Sequence, residues 1–261
     1  MLSLSNRPNA TNAGPTSRPP TFAEDVFLRI RADILSARLL PDEKMQLEKL
    51  KASYGVGATP LREALSKLTS LNLVVAEGQR GFRVAPVSIA ELLDITKTRA
   101  WIESVALRAA IAAGDRGWEA EILAAIHRLE GCSPKTGEPL GDDWFRENRF
   151  FHDALTSACN SAHIMAYRAS LYDLSDRYRR LSAQVQTSDR NLDAEHRQIM
   201  DAVLARDADT AIACIEDHFV ETIQALLNNE LFSAAEVEST IASLRKDIRN
   251  GCARTLAGPG N

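Results

Sequence analysis

The run Leu47-Glu48-Lys49-Leu50-Lys51-Ala52-Ser53-Tyr54-Gly55-Val56-Gly57-Ala58-Thr59-Pro60-Leu61-Arg62-Glu63-Ala64-Leu65 constrains the fold more tightly than any other stretch of the chain. It reads as a short helix, a tight turn at Gly55 and a second helix opening at Thr59-Pro60, the layout of a helix-turn-helix. Thr59 is a favoured N-cap, and Pro60 at the first helical position sacrifices no hydrogen bond. An apolar run from Leu71 to Ala76 follows, then Gly78-Gln79-Arg80-Gly81 and Phe82-Arg83-Val84. That is a hairpin with a basic, glycine-rich tip, a wing. Upstream, Val26, Phe27, Ile30, Ile34 and Leu35 recur with a helical period. Three helices and a small β-hairpin make a winged helix-turn-helix, which grips double-stranded DNA. Its second helix enters the major groove and its wing touches the backbone or minor groove. Thr59, Arg62, Gln79, Arg80 and Gly81 are the expected contacts. Arg62 alone is equally an ordinary surface arginine; the basic wing at the expected distance favours the DNA reading.

Charge assigns that work to the N-terminal part. The net charge is -4, but residues 21–87 hold ten Lys and Arg against eight Asp and Glu, a net of +2. Residues 88–230 hold fifteen against 24, a net of -9. Phosphate neutralisation needs basic side chains, so the acidic part does not hold DNA unaided. A length of 261 residues suits two domains. We read residues 1–20, rich in Ser, Asn, Pro and Thr, as a disordered arm and not a secretory signal. The winged helix-turn-helix spans 21–87 and an all-helical domain 88–232. A tail, 233–261, has room for a short helix near 234–248. No run of 18 apolar residues suggests a membrane span. The four cysteines are scattered, with no CxxC pair, which argues against a zinc finger or disulfide framework and for a cytoplasmic protein.

After Ala85-Pro86-Val87, the pattern is helical throughout, so the fold class is mostly α: a winged helix-turn-helix followed by an antiparallel helical bundle. Ser88-Ile89-Ala90-Glu91 is a capping box. Helices are expected at about 88–113, 117–130, 140–158, 161–184, 190–206 and 208–230. Asn148 and His152 are four apart and share one helical face; His196 and His218 lie on later helices. If these helices surround one cavity, three imidazoles and an amide oxygen suit zinc, nickel or another divalent ion. Spacing alone does not show such a site, because lone histidines are more often core or surface residues; His127 and His163, without such partners, are read as structural. Arg99, followed by Glu103, is either half of an intrahelical ion pair or a pocket arginine that takes a carboxylate on two prongs. No evident general base accompanies the histidines, so there are no catalytic candidates.

Thr59-Pro60-Leu61-Arg62-Glu63-Ala64-Leu65 with Glu77-Gly78-Gln79-Arg80-Gly81-Phe82-Arg83-Val84 resembles the winged helix of the GntR superfamily of bacterial regulators, and the helical remainder resembles its FadR branch, whose C-terminal module is called FCD. The resemblance covers roughly residues 21 to 230. It implies a dimeric, ligand-responsive transcriptional regulator, a repressor for preference, on a pseudo-palindromic DNA operator. It further implies a divalent metal ion, zinc before nickel, held by Asn148, His152, His196 and His218, and a small carboxylate effector near Arg99. The chain departs from the family pattern at Ala58, where Arg is common, and at Asn148, where Asp is commoner. A metal-free regulator that senses another ligand, such as an acyl-CoA, and a metal-dependent hydrolase are the competing readings.

Overall fold

In the computed structural model, which describes residues 21–78, 81–134, 138–182, 190–228 and 234–256, the chain divides into two compact units. One contains Asp42–Ala85 with the segment that ends at Ala32; the other contains Asp33–Pro41 and the chain from Pro86 on.

The first unit holds α1 (Phe22–Leu35) as far as Ala32, β1 (Lys44–Met45), α2 (Leu47–Tyr54), α3 (Ala58–Ser70), β2 (Val74–Ala76) and β3 (Phe82–Val84). Gly55 ends α2 in the left-handed region, with φ 67°, and its N–H bonds back to the Lys51 carbonyl. A residue with a Cβ is strained in that conformation, so glycine belongs there. On α3, Leu61, Ala64, Leu65 and Leu68 are buried, the i, i+3, i+4, i+7 stripe of a helix laid on a core. The opposite face, Thr59, Arg62, Glu63, Ser66 and Lys67, is exposed. The helix starts earlier than expected. Gly57 occupies the N-cap in an extended conformation with no side-chain bond, and its carbonyl accepts from the Leu61 N–H at 3.4 Å. Thr59 therefore lies inside the first turn and caps nothing. Pro60 still costs no bond, because the first four helical N–H groups have no intrahelical partner.

The hairpin pairs Val74 with Val84 and Ala76 with Phe82, antiparallel. β1 adds a third strand on the other side of β3, giving the order β1-β3-β2. Two residues are too short to show a strand period, so this strand left no signal in the sequence. Arg83 is tied down, with Nε 2.8 Å from Glu77 Oε1 and Nη1 on the Asp42 carbonyl.

The second unit is all helix: α4 (Ile89–Ala113), α5 (Arg116–Glu130), α6 (Asp142–Thr156), α7 (Ala162–Ser182), α8 (Leu192–Leu204), α9 (Ala208–Leu227) and α10 (Ala234–Leu256). Helices α5, α8 and α9 start on side-chain caps: oxygens of Asp115, Asn191 and Asp207 accept from the N–H of the third residue on, each satisfying an orphan N–H. At α4 only half the expected capping box forms. Ser88 Oγ accepts from the Glu91 N–H at 3.1 Å, but the Ser88 N–H goes to the Tyr178 hydroxyl at 3.1 Å, and the Glu91 carboxylate is bonded to that same hydroxyl.

Helix α4 packs against α6, α7, α9 and α10. The last of these is longer than the short helix near 234–248 that the tail suggested. Val237, Ile241, Leu244 and Ile248 are buried in the same core as α4 and α9, and Trp101 Nε1 donates to the Ile248 carbonyl at 3.1 Å. Helix α10 thus contributes to the bundle core. No described helix is long and apolar enough to cross a membrane.

Candidate metal centre and nucleic-acid interface

Helices α6, α8 and α9 bring three histidines together. His152 and His196 are fully buried and His218 is 5% exposed. Their ring centroids lie 5.5 Å (His152 to His196), 5.4 Å (His152 to His218) and 4.8 Å (His196 to His218) apart. One nitrogen from each ring falls within 4.8 Å of the others. Asn148, one turn before His152, is also fully buried.

Hydrogen bonding tests whether an ion fits. Both ring nitrogens of His152, both of His196 and the Asn148 Oδ1 are buried with no hydrogen-bond partner among the described residues. A buried polar atom left unpaired costs about 1–3 kcal/mol. A neutral imidazole has a lone pair on one ring nitrogen only, so a single cation suits one nitrogen of each ring together with the Asn148 oxygen. His218 is fixed differently: its Nδ1 lies 2.8 Å from Glu195 Oε2, and Arg190 holds Glu195 through Nε at 3.0 Å. A carboxylate there places the proton on Nδ1 and leaves Nε2 as the lone-pair donor, the arrangement common behind metal-bound imidazoles.

Protonation states agree. Burial drives His152 and His196 well below the ordinary imidazole range, and the neighbouring His218 adds to the effect on both. Burial also brings His218 down to about 4, although its bond to Glu195 pushes the other way. Burial would raise Glu195, but hydrogen bonds from His218 and Arg190 outweigh it and hold the carboxyl at about 2. The cluster is therefore three neutral imidazoles backed by one ionised carboxylate. Neutral imidazole is the form that ligates metal.

Arg99, on α4, is buried, and its expected partner is taken. Glu103 pairs with Arg168 of α7, with Nε 2.8 Å from Oε2 and Nη2 2.9 Å from Oε1. Arg99 Nη1 donates to Ser175 Oγ at 3.3 Å, while Nε and Nη2 have no hydrogen-bond partner among the described residues. The guanidinium lies 4.0 Å from the Phe219 ring centroid. It lines a cleft with Thr96, Ser175, Arg179, His218 and Thr222. Burial, with Arg179 nearby, lowers its pKa to about 10, still charged at neutral pH. Arg149 is occupied by Asp173 at 2.5 Å. His127 and His163 are exposed and stand outside the cluster.

Three participants escaped the sequence reading. Glu195 and Arg190 were hidden because Glu195 serves not its neighbour His196 but His218, on the next helix. Arg179, buried on α7, shares the cleft with Arg99, and nothing in its local spacing marks it.

In the first unit, Arg62 stands exposed on the first turns of α3 with no ion pair among the described residues. Gly81 has φ 100°, the left-handed side that a hairpin tip demands of a glycine. Gln79 and Arg80 lie outside the described residues.

Known proteins share both units. The family described as bacterial regulatory proteins, gntR family, matches residues 22–84, and the FCD domain matches residues 94–221. The chain is 38% identical over 215 residues to the uncharacterized HTH-type transcriptional regulator BphR of Paraburkholderia xenovorans, covering 81% of this chain and 88% of that protein. It is 36% identical over 217 residues to the HTH-type transcriptional repressor GlaR of Escherichia coli, covering 78% and 97% respectively. Among solved structures, McbR/YncC of E. coli shares the fold, with a TM-score of 0.68 at 21% identity over 79% of this chain and 97% of that one.

Proposed function

The chain belongs to the GntR family of bacterial transcriptional regulators, not to an enzyme family, with an FCD domain as its second module, and from that premise we propose that it is a cytoplasmic, homodimeric repressor that senses a small organic acid through a metal-containing pocket. The observation that carries this reading is the set of orphaned donor atoms on Asn148, His152 and His196, beside an arginine with two unengaged N–H groups. A two-fold dimer reads a pseudo-palindromic operator.

His152, His196 and His218, with the Asn148 amide oxygen, would hold a divalent ion; three nitrogens and one oxygen suit zinc or nickel. When bound, such an ion attracts a carboxylate oxygen as a Lewis acid. Arg99 Nε and Nη2 form the complementary fork, which engages a carboxylate on two parallel bonds. The Thr96, Ser175 and Thr222 side chains, which line the same cleft, offer hydroxyls to the rest of the ligand. Release of DNA then requires the acid to bind the two arrangements of the dimer with different affinity.

Arg99→Met is expected to abolish the rise in melting temperature that small carboxylic acids give the parent chain, while bound metal per chain stays the same. Thermal melting with elemental analysis reads both; a full carboxylate shift in the variant removes Arg99 from the pocket.

Arg62→Ala is expected to weaken binding about 10–100-fold, since a good base contact discriminates by about 1–3 kcal/mol. Fluorescence anisotropy at fixed salt checks it, on the duplex that the parent protein retains from a random-sequence pool. Unchanged affinity with an unchanged melting curve sinks the assignment of α3 as the reading helix.

A further inference from the structure

An asparagine beside three histidines poses a problem that an aspartate does not. Its side chain has two ends of nearly the same shape, one an acceptor oxygen and one an NH2 that only donates. Only the oxygen serves a cation. Turned by 180° about its last bond, Asn148 would offer N–H groups instead, so something must choose the orientation.

Tyr172 stands where that choice is made. It lies on α7, 1% exposed, and its hydroxyl oxygen accepts from Asn148 Nδ2 at 2.8 Å. The phenol is itself clamped. The guanidinium groups of Arg99, Arg149 and Arg179 lie 4.7, 5.1 and 4.9 Å from its ring centroid. With the Asn148 NH2 on the Tyr172 hydroxyl, Oδ1 is the end left without a partner among the described residues, on the face of α6 that carries His152.

We propose that Tyr172 is a positioning residue for the metal centre: it holds the Asn148 amide so that oxygen, and not nitrogen, completes the ligand set with His152, His196 and His218. The inference rests on the proposed metal centre. It explains how a neutral amide serves where a carboxylate is commoner. Two equivalent carboxylate oxygens need no orienting, whereas an amide does.

That difference supplies the test. Zinc affinity is measured by competition with a chromophoric chelator on the full chain in four forms: parent, Tyr172→Phe, Asn148→Asp and the double variant. With Asn at 148, Tyr172→Phe lowers affinity about tenfold or more, the usual cost of losing a group that orients a ligand. With Asp at 148, the same substitution changes affinity less than about threefold. A purely structural role for Tyr172 costs the same in both backgrounds, so equal losses overturn the proposal, as does no loss in the Asn background. Circular dichroism of the metal-free forms establishes folding, and Tyr172→Leu, which also lacks the acceptor oxygen, replaces the phenylalanine variant if that one does not fold. A parent chain that takes up no zinc brings down the metal centre and this inference with it; a parent that binds zinc beside an unaffected Tyr172→Phe removes the inference alone.

Discussion

His152→Ala combined with His196→Ala is expected to leave the purified chain with essentially no bound divalent metal, against about one ion per chain in the parent. Both rings are fully buried, and each carries two nitrogens without a hydrogen-bond partner among the described residues. Removing them deletes two of three imidazoles, and one imidazole with one amide is too few donors for a closed tetrahedral site. Stability follows from linkage. A ligand that binds only the folded state stabilises it by RT ln(1 + [L]/Kd), about 2.7 kcal/mol at a hundred times Kd. Chelation should therefore lower the parent's melting temperature by roughly 5–10 °C, at about 2–4 °C per kcal/mol for a chain of this size. The double variant should ignore the chelator. Equal metal content in parent and variant, by elemental analysis, contradicts the site.

Arg168→Met is expected to destabilise the bundle by about 3–5 kcal/mol, the cost of breaking a buried ion pair from one side. Arg168 is 1% exposed. It reaches Glu103 on α4 with two nitrogens, the Asp153 carboxylate with a third contact, and the His152 carbonyl on α6 at 2.5 Å. It therefore ties α4 and α6 to α7 next to a candidate metal ligand. Without it, Glu103 is a carboxylate left buried and unpaired, and a melting temperature lower by roughly 10 °C or more is expected. Adding Glu103→Gln should recover part of the loss, because the stranded charge is then gone. A melting curve unchanged by Arg168→Met shows that the pair contributes nothing net.

The two single-helix signals in the sequence were the readable ones. Gly55 and the leucine stripe of α3 announced the helix-turn-helix because both are local: a left-handed turn and a 3.6-residue period are written within a few residues. Asn148 and His152 were readable for the same reason, being one turn apart. What spacing could not supply was convergence. That α6, α8 and α9 face one point is a property of the bundle, and only the resemblance to a known family suggested it. Arg99 illustrates the limit from the other side. Glu103 is its i+4 neighbour, yet Arg168, 65 residues further on, holds that carboxylate. Tyr172 was invisible because its partner Asn148 is 24 residues away on another helix. The start of α3 is less legible: Gly57, in an extended conformation and with no side-chain bond, takes the N-cap position that Thr59 suggests. Helix α10 runs past the expected 248 to Leu256, and its stripe of Val237, Ile241, Leu244 and Ile248 has the spacing of a core-facing helix.

The most direct test is a melting series on the full chain, stripped of metal with a chelator or reloaded with zinc, against a panel of small carboxylic acids. The predicted result is a rise with zinc and a further rise with one class of acid that appears only when zinc is present. The same melting temperature in every condition would contradict a metal-containing pocket for an organic acid.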